Sequence, residues 1–163
     1  MAAPFRIYRI VCSTPPDLET ERLAFESTLA SFGERVTFPE QVLFPCASFR
    51  ESFDANRHRP AAEANVRMCD FFVHIFSSAW PGPPFHAFID LAQTCMADPS
   101  QPMRQVVVLF KNFAEADDKV RSFRDTLALG GKCELRDFHD PAELDRLLPE
   151  IFASWWEAVQ ARP

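Results

Sequence analysis

The chain of 163 residues is about one domain long, and a compact domain of that size buries roughly 70% of the surface its unfolded chain exposes. Apolar residues make up 47%, with 17 Phe and only 4 Gly, so aromatic rings must supply much of the core and few glycines remain for phosphate-cradling loops. The formal net charge of -6 argues against a nucleic-acid groove, which needs a basic patch to neutralise phosphates.

The one basic cluster, Arg57-His58-Arg59 with Arg67 nearby, reads as a solvated loop. The five cysteines (Cys12, Cys46, Cys69, Cys95, Cys133) are scattered and form no Cys-x-x-Cys pair, which supports neither a zinc site nor a disulfide framework. Arg6 and Arg9 break the first apolar stretch, so it is no signal-peptide core, and no apolar run approaches membrane-spanning length. The expectation is a single soluble cytoplasmic domain spanning residues 1–163, with no membrane partner.

In chain order, Phe5 to Cys12 reads as the first strand. Thr14, Pro15 and Asp17 then read as a helix start with a capping box. The helix runs to Phe32 with Leu18, Phe25, Leu29 and Phe32 on one stripe, and Gly33 is expected to stop it. Arg35 to Phe38 is predicted as a short second strand, and 39–58 as an irregular connection. Ala61 to Met68 reads as a helix. Asp70 to Phe76 is a near-continuous apolar run, as expected of a strand covered on both faces. Ser77 to Pro84 is a loop, because Pro81-Gly82-Pro83-Pro84 cannot be regular structure. A helix over Phe85 to Met96, a strand over Gln105 to Phe110 and a helix over Ala116 to Leu129 follow, the last closed by Gly130-Gly131. Cys133 to Phe138 is an edge strand. Pro141 to Val159 is a long amphipathic helix carrying Leu144, Leu147, Leu148, Ile151, Phe152, Trp155 and Trp156, which Pro149 should bend or split.

Five strands alternating with helices predict an α/β, flavodoxin-like three-layer fold with a five-stranded parallel sheet in the order 2-1-3-4-5. In such a sheet ligands bind beyond the carboxyl ends of the strands, where the order reverses. That crevice collects Cys12, Ser13 and Thr14 from the first loop and Ser77, Ser78, Ala79 and Trp80 from the loop after strand three. Helix N-termini pointing at it suit an anion such as a pyrophosphate. Thr14 and Asp17 read first as a structural cap, which leaves Ser13 the freer ligand contact. Trp80 is either a core ring or a platform for a base. Asp70 reads as a solvated turn residue at the opposite end of the sheet, and His74 as a satisfied core histidine. His86 opens the third helix on the crevice side and has the chemistry of an acid or base. A Cys12–His86 nucleophile pair is an alternative, set against the ordinary case of a buried inert thiol.

The opening Ile10-Val11-Cys12-Ser13-Thr14, with Asp17-Leu18 and Glu21-Arg22, resembles a TIR-like family of bacterial domains that begins with a strand, Ser-Ser-Thr, an Asp-Leu pair and a Glu-Arg pair. The likeness continues through Cys69-Asp70-Phe71-Phe72-Val73, Val106 to Phe110 and Asp140-Pro141-Ala142-Glu143-Leu144, nearly the whole chain, and is shared more loosely with TIR domains and nucleoside deoxyribosyltransferases. The resemblance implies either cleavage of the N-glycosidic bond of NAD or nucleosides, or a scaffold that assembles by domain contacts. The enzymes place glutamates on the third helix, in a Thr-Glu-x-Glu pattern followed by an aromatic residue and an Ala. With that Ala on Ala92, the acids fall at His86 and Phe88, and both are missing. Asp90 is the nearest carboxylate, about 200° round the helix from Phe88.

The favoured expectation is therefore a non-catalytic TIR-like module in signalling or antiphage defence. It would bind a nucleotide-type ligand such as NAD, or a partner protein, through Cys12, Ser13, Thr14, Ser77, Ser78, Trp80, His86 and Phe88. Its rival is an active NAD or nucleoside glycohydrolase using Asp90 or His86 with Ser13. A third reading is a protein-interaction or self-association domain, its apolar surface supplied by Trp155, Trp156 and the 44–53 segment.

Overall fold

The structure, a computed structural model, describes residues 4–49, 55–81 and 85–163. Its strands are β1 (Arg6–Ile7), β2 (Ile10–Ser13), β3 (Val42–Leu43), β4 (Cys46–Phe49), β5 (Phe71–Phe76), β6 (Gln105–Lys111) and β7 (Glu134–Phe138). The helices are α1 (Glu19–Phe32), α2 (Ala55–Met68), α3 (Phe85–Ala97), α4 (Asp118–Gly130) and α5 (Pro141–Ala161). Five strands form an all-parallel sheet in the order β4-β2-β5-β6-β7, which is the flavodoxin-like 2-1-3-4-5 arrangement. β1 and β3 pair separately.

Side chains alternate between the two faces of the sheet, because successive Cβ atoms of a strand point opposite ways. Ile10, Cys12, Phe71, Val73, Ile75, Val107 and Leu109 pack with Phe25 and Leu29 of α1 and the apolar stripe of α5. Val11, Phe72, Phe76, Val106, Val108 and Phe110 pack with Ala62 and Val66 of α2, Phe88, Ile89 and Ala92 of α3, and Val120 and Leu127 of α4. All six residues of β5 and Val106 to Phe110 of β6 are buried, as the continuous apolar runs require.

Several expectations are corrected. The first strand is two: Arg6–Ile7 leaves the main sheet to pair with Val42–Leu43, and only Ile10–Ser13 joins the core. Gly33 does not stop α1; at φ -56° it stays helical, and the chain continues through a π turn (Gly33–Thr37) and a 3-10 turn (Phe38–Glu40). The predicted strand at Arg35 to Phe38 is thus helical. Thr37 is buried and Val36 packs against the core, and this tertiary burial overrides the glycine's helix cost of about 1 kcal/mol. The reversal falls instead at Gln41, at φ 56°. The second strand of the sheet is Cys46–Phe49, inside the stretch read as irregular.

The Thr14–Asp17 capping box does not form either. Pro15 is extended at φ -67° and ψ 163°, no side chain caps the 3-10 turn at Pro16–Leu18, and α1 starts only at Glu19. Consecutive prolines explain this, since a residue before proline is pushed out of the helical region. Asp70 is not solvated: its carboxylate accepts the Arg9 N–H at 2.8 Å and faces Arg104 Nε at 3.6 Å, and burial holds it above the ordinary carboxylate range. α5 runs through Pro149 without a break, carried by the buried stripe from Leu144 to Val159. Trp155 in that stripe is fully buried and stacks on Phe71 at 4.8 Å, so it offers no contact surface, while Trp156 is partly buried. Phe44 packs partly against the core, and 50–53 of the proposed apolar segment lie outside the described residues, as do 82–84 of the proline loop. Arg57, His58 and Arg59 belong to α2 rather than to a loop. No helix among the described residues is long and apolar enough to cross a membrane.

Candidate functional site

The sheet register places Ser13, the last residue of β2, beside His74 on β5. Ser13 Oγ and His74 Nδ1 lie 3.1 Å apart, and neither residue is exposed. Burial pushes the His74 imidazole down to about 3, with His86 adding a smaller repulsion, so the ring is neutral at ordinary pH. Its ring lies 4.4 Å from that of Phe76, which stacks in turn on Phe110 at 5.3 Å and on Trp80 at 6.0 Å. Thr14 and Ser77 are buried as well. Among the described residues, Ser13, His74, Phe76 and Phe110 are buried towards the strand ends where a ligand crevice was expected.

Cys12 belongs to the opposite face of the sheet, packed with α1 and α5. The sheet separates it from His86, and burial raises its thiol well above the usual range, so a Cys12–His86 nucleophile pair does not exist. The remaining cysteines are also unpaired thiols; burial raises Cys46 to about 12 and Cys133 to about 11. No group of three or more His, Cys, Asp or Glu among the described residues could hold a metal ion.

Phe88 is 1% exposed and packs into the core between the sheet and α2, α3 and α4. Ala92, one turn on, shares that face at 0%. Asp90 is exposed, on another side of α3. Its charge is felt at Cys133, just before β7, where it adds to the effect of burial in raising the thiol.

Open space lies one step further along the sheet. Trp80, His86, Asp118, Lys119, Ser122, Phe123 and Thr126 line a cleft of about 570 Å³ between the start of α3 and the outer side of α4. The Trp80 ring sits 5.3 Å from His86, tilted 36°, and 5.3 Å from Phe123, nearly edge-on at 74°. Asp117 fixes this wall. Its carboxylate caps α4 through the Val120 N–H at 2.9 Å and accepts the Trp80 N–H at 2.7 Å, while its own N–H donates to the Ser78 carbonyl at 2.9 Å. These backbone donors, Val120 first, hold the Asp117 carboxyl below the ordinary range.

Of the eight residues expected to bind, Trp80 and His86 thus meet at a cleft, and Ser78 anchors the loop that carries Trp80. Cys12, Ser13, Thr14, Ser77 and Phe88 are buried. The α4 residues were missed. Their only local signal is Asp117-Asp118 ahead of a helix, which reads as a cap and not as a cleft wall. Also missed is a polar tie on the other face. Arg22, 3% exposed, donates to Glu19, to Glu26 at 2.8 Å and to Ser48 Oγ, while Glu21 pairs with Lys111. The Glu21-Arg22 pair thereby joins α1 to the ends of β4 and β6. No family model matches the chain, and no curated protein matches it significantly.

Proposed function

We propose that the chain is a non-catalytic TIR-like module of the bacterial cytoplasm, binding a nucleotide-type ligand such as NAD, or a partner protein, in signalling or antiphage defence. One observation carries the non-catalytic half: Phe88 is buried in the core at the position where the resemblance would put a glycosidase glutamate. A glycosidase of this kind needs a carboxylate to meet the oxocarbenium-like sugar. Asp90 is exposed on another side of α3, and Ser13 Oγ lies within hydrogen-bond distance of the buried His74 Nδ1. The ligand-binding half is supported by the open cleft that Trp80 and His86 line.

Thermal unfolding with NAD and with ADP-ribose tests the binding half. A ligand at 100 times its dissociation constant stabilises the fold by about 2.7 kcal/mol, so a saturable rise in melting temperature is expected. No rise with either compound at millimolar concentration would remove the nucleotide ligand from this reading.

A further inference from the structure

We infer that the outer face of α4 pairs with the same face of a second copy of this chain, antiparallel across a two-fold axis, with Leu129 of each copy seated in the other's cleft. The inference rests on the partner-protein half of the proposed function and names that partner as the chain itself.

A knob and a hole lie on one side of the same helix. Leu129 is 90% exposed, the most exposed large hydrophobic side chain among the described residues. Steps of three and four residues lead back from it to Thr126, Ser122 and Lys119, so all four share one face of α4. Thr126, Ser122 and Lys119 line the cleft, whose aromatic walls are Trp80 and Phe123. Ser122 and Thr126 are exposed and small, which lets a second helix come close. The Thr126 hydroxyl is already donated to the Ser122 carbonyl at 3.0 Å, so covering it strands no donor.

An exposed leucine by itself needs no explanation. The pointer to a second copy is that one surface carries both a projecting apolar side chain and an aromatic-walled space, as a two-fold contact requires. A small ligand would fill the cleft and leave Leu129 in water. Leu129 lies seven residues from Ser122, about 10 Å along the helix axis. An antiparallel pair that opposes these two residues has its two-fold axis between Asp125 and Thr126.

That register also sorts the charges. It opposes Asp118, which lines the cleft, to Lys132 just past the end of the other copy's α4. Both are exposed, and neither forms an ion pair among the described residues. Two such pairs, one at each end, favour the antiparallel arrangement. Against them stand Lys119, near the same Lys132, and Asp125, which meets its own copy beside the axis. These repulsions keep the association weak.

Sedimentation equilibrium over a concentration series tests it. One helix pair lies at the low end of interface size, so the chain should be monomeric at about 10 μM and mostly dimeric at about 1 mM. Leu129→Lys removes the knob, and Ser122→Phe fills the hole. Both sit at exposed positions, so each should keep the chain monomeric throughout while leaving the melting temperature of the monomer unchanged. Asp125→Asn removes the like charges beside the axis and should tighten the dimer several-fold. A parent that is monomeric at about 1 mM, association that survives Leu129→Lys or Ser122→Phe, or a dimer that Asp125→Asn does not tighten would each overturn the inference. Thermal unfolding with NAD separates this failure from that of the proposed function. A monomeric parent that NAD stabilises overturns the inference and leaves the ligand-binding half standing. A monomeric parent that neither NAD nor ADP-ribose stabilises leaves neither half with support.

Discussion

Phe88→Glu should cost the fold roughly 4 kcal/mol or more. Burying a Phe side chain is worth about 1.5–3 kcal/mol, and a carboxylate in its place must be desolvated without a partner or take up a proton. Phe88 is 1% exposed and shares one buried apolar cluster with Ile89, Ala92 and the α3-side face of the sheet. In a domain of this length a loss of that size lowers the melting temperature by about 10 °C. Phe88→Leu, which keeps an apolar side chain of similar volume, should cost less than about 1.5 kcal/mol. Nor should the glutamate restore glycosidase chemistry, because the resemblance would put a second acid where this chain has His86. A Phe88→Glu protein that melts with the parent would mean that this position faces water.

Acidification from pH 7 to pH 5 should cost about 2 kcal/mol through His74 alone. Its folded value of about 3 lies below the 6.5 of an unperturbed imidazole, because the charged form cannot be solvated in the core. Between those values the unfolded chain binds the proton and the folded chain does not, so stability rises with pH across that window. The contribution is complete above about pH 6.5 and is lost progressively as the pH falls towards 3. Urea unfolding of the parent and of His74→Asn at pH 7 and pH 5 isolates the effect, since the variant keeps the other histidines and an amide able to reach Ser13. The parent should lose about 2 kcal/mol more than the variant over that interval. Equal losses would mean that His74 is already charged, or solvated, in the folded protein.

The parts of the fold that were legible are those where one force acts alone. β5 and β6 read correctly because a strand buried on both faces must be apolar at every position, and Phe71–Phe76 and Val106–Phe110 leave no alternative. The end of α4 read correctly because Gly131 adopts φ 62°, a left-handed conformation that glycine enters without cost. The second strand was illegible because it is a four-residue edge strand behind Pro45, with one paired neighbour and no alternating pattern long enough to count. Thr14 and Asp17 carried a valid capping signal that the Pro15-Pro16 backbone overrode.

At the site, Phe88 was read as a crevice residue from the family register, whereas it is buried on one helical face with Ala92, four residues on. The cleft on the α3–α4 side did not follow from the sequence. It depends on Asp117 reaching Trp80 across 37 residues, which leaves no local signature.

The central claim is that the domain keeps its sheet and has no glycosidic chemistry. The direct measurement is release of nicotinamide from NAD, followed with protein in excess so that even one slow turnover per molecule is counted. The account predicts release no faster than in buffer, and the same trace for Asp90→Ala. Release above background that disappears in Asp90→Ala would contradict it, and would place a working carboxylate on the face of α3 that lies exposed here.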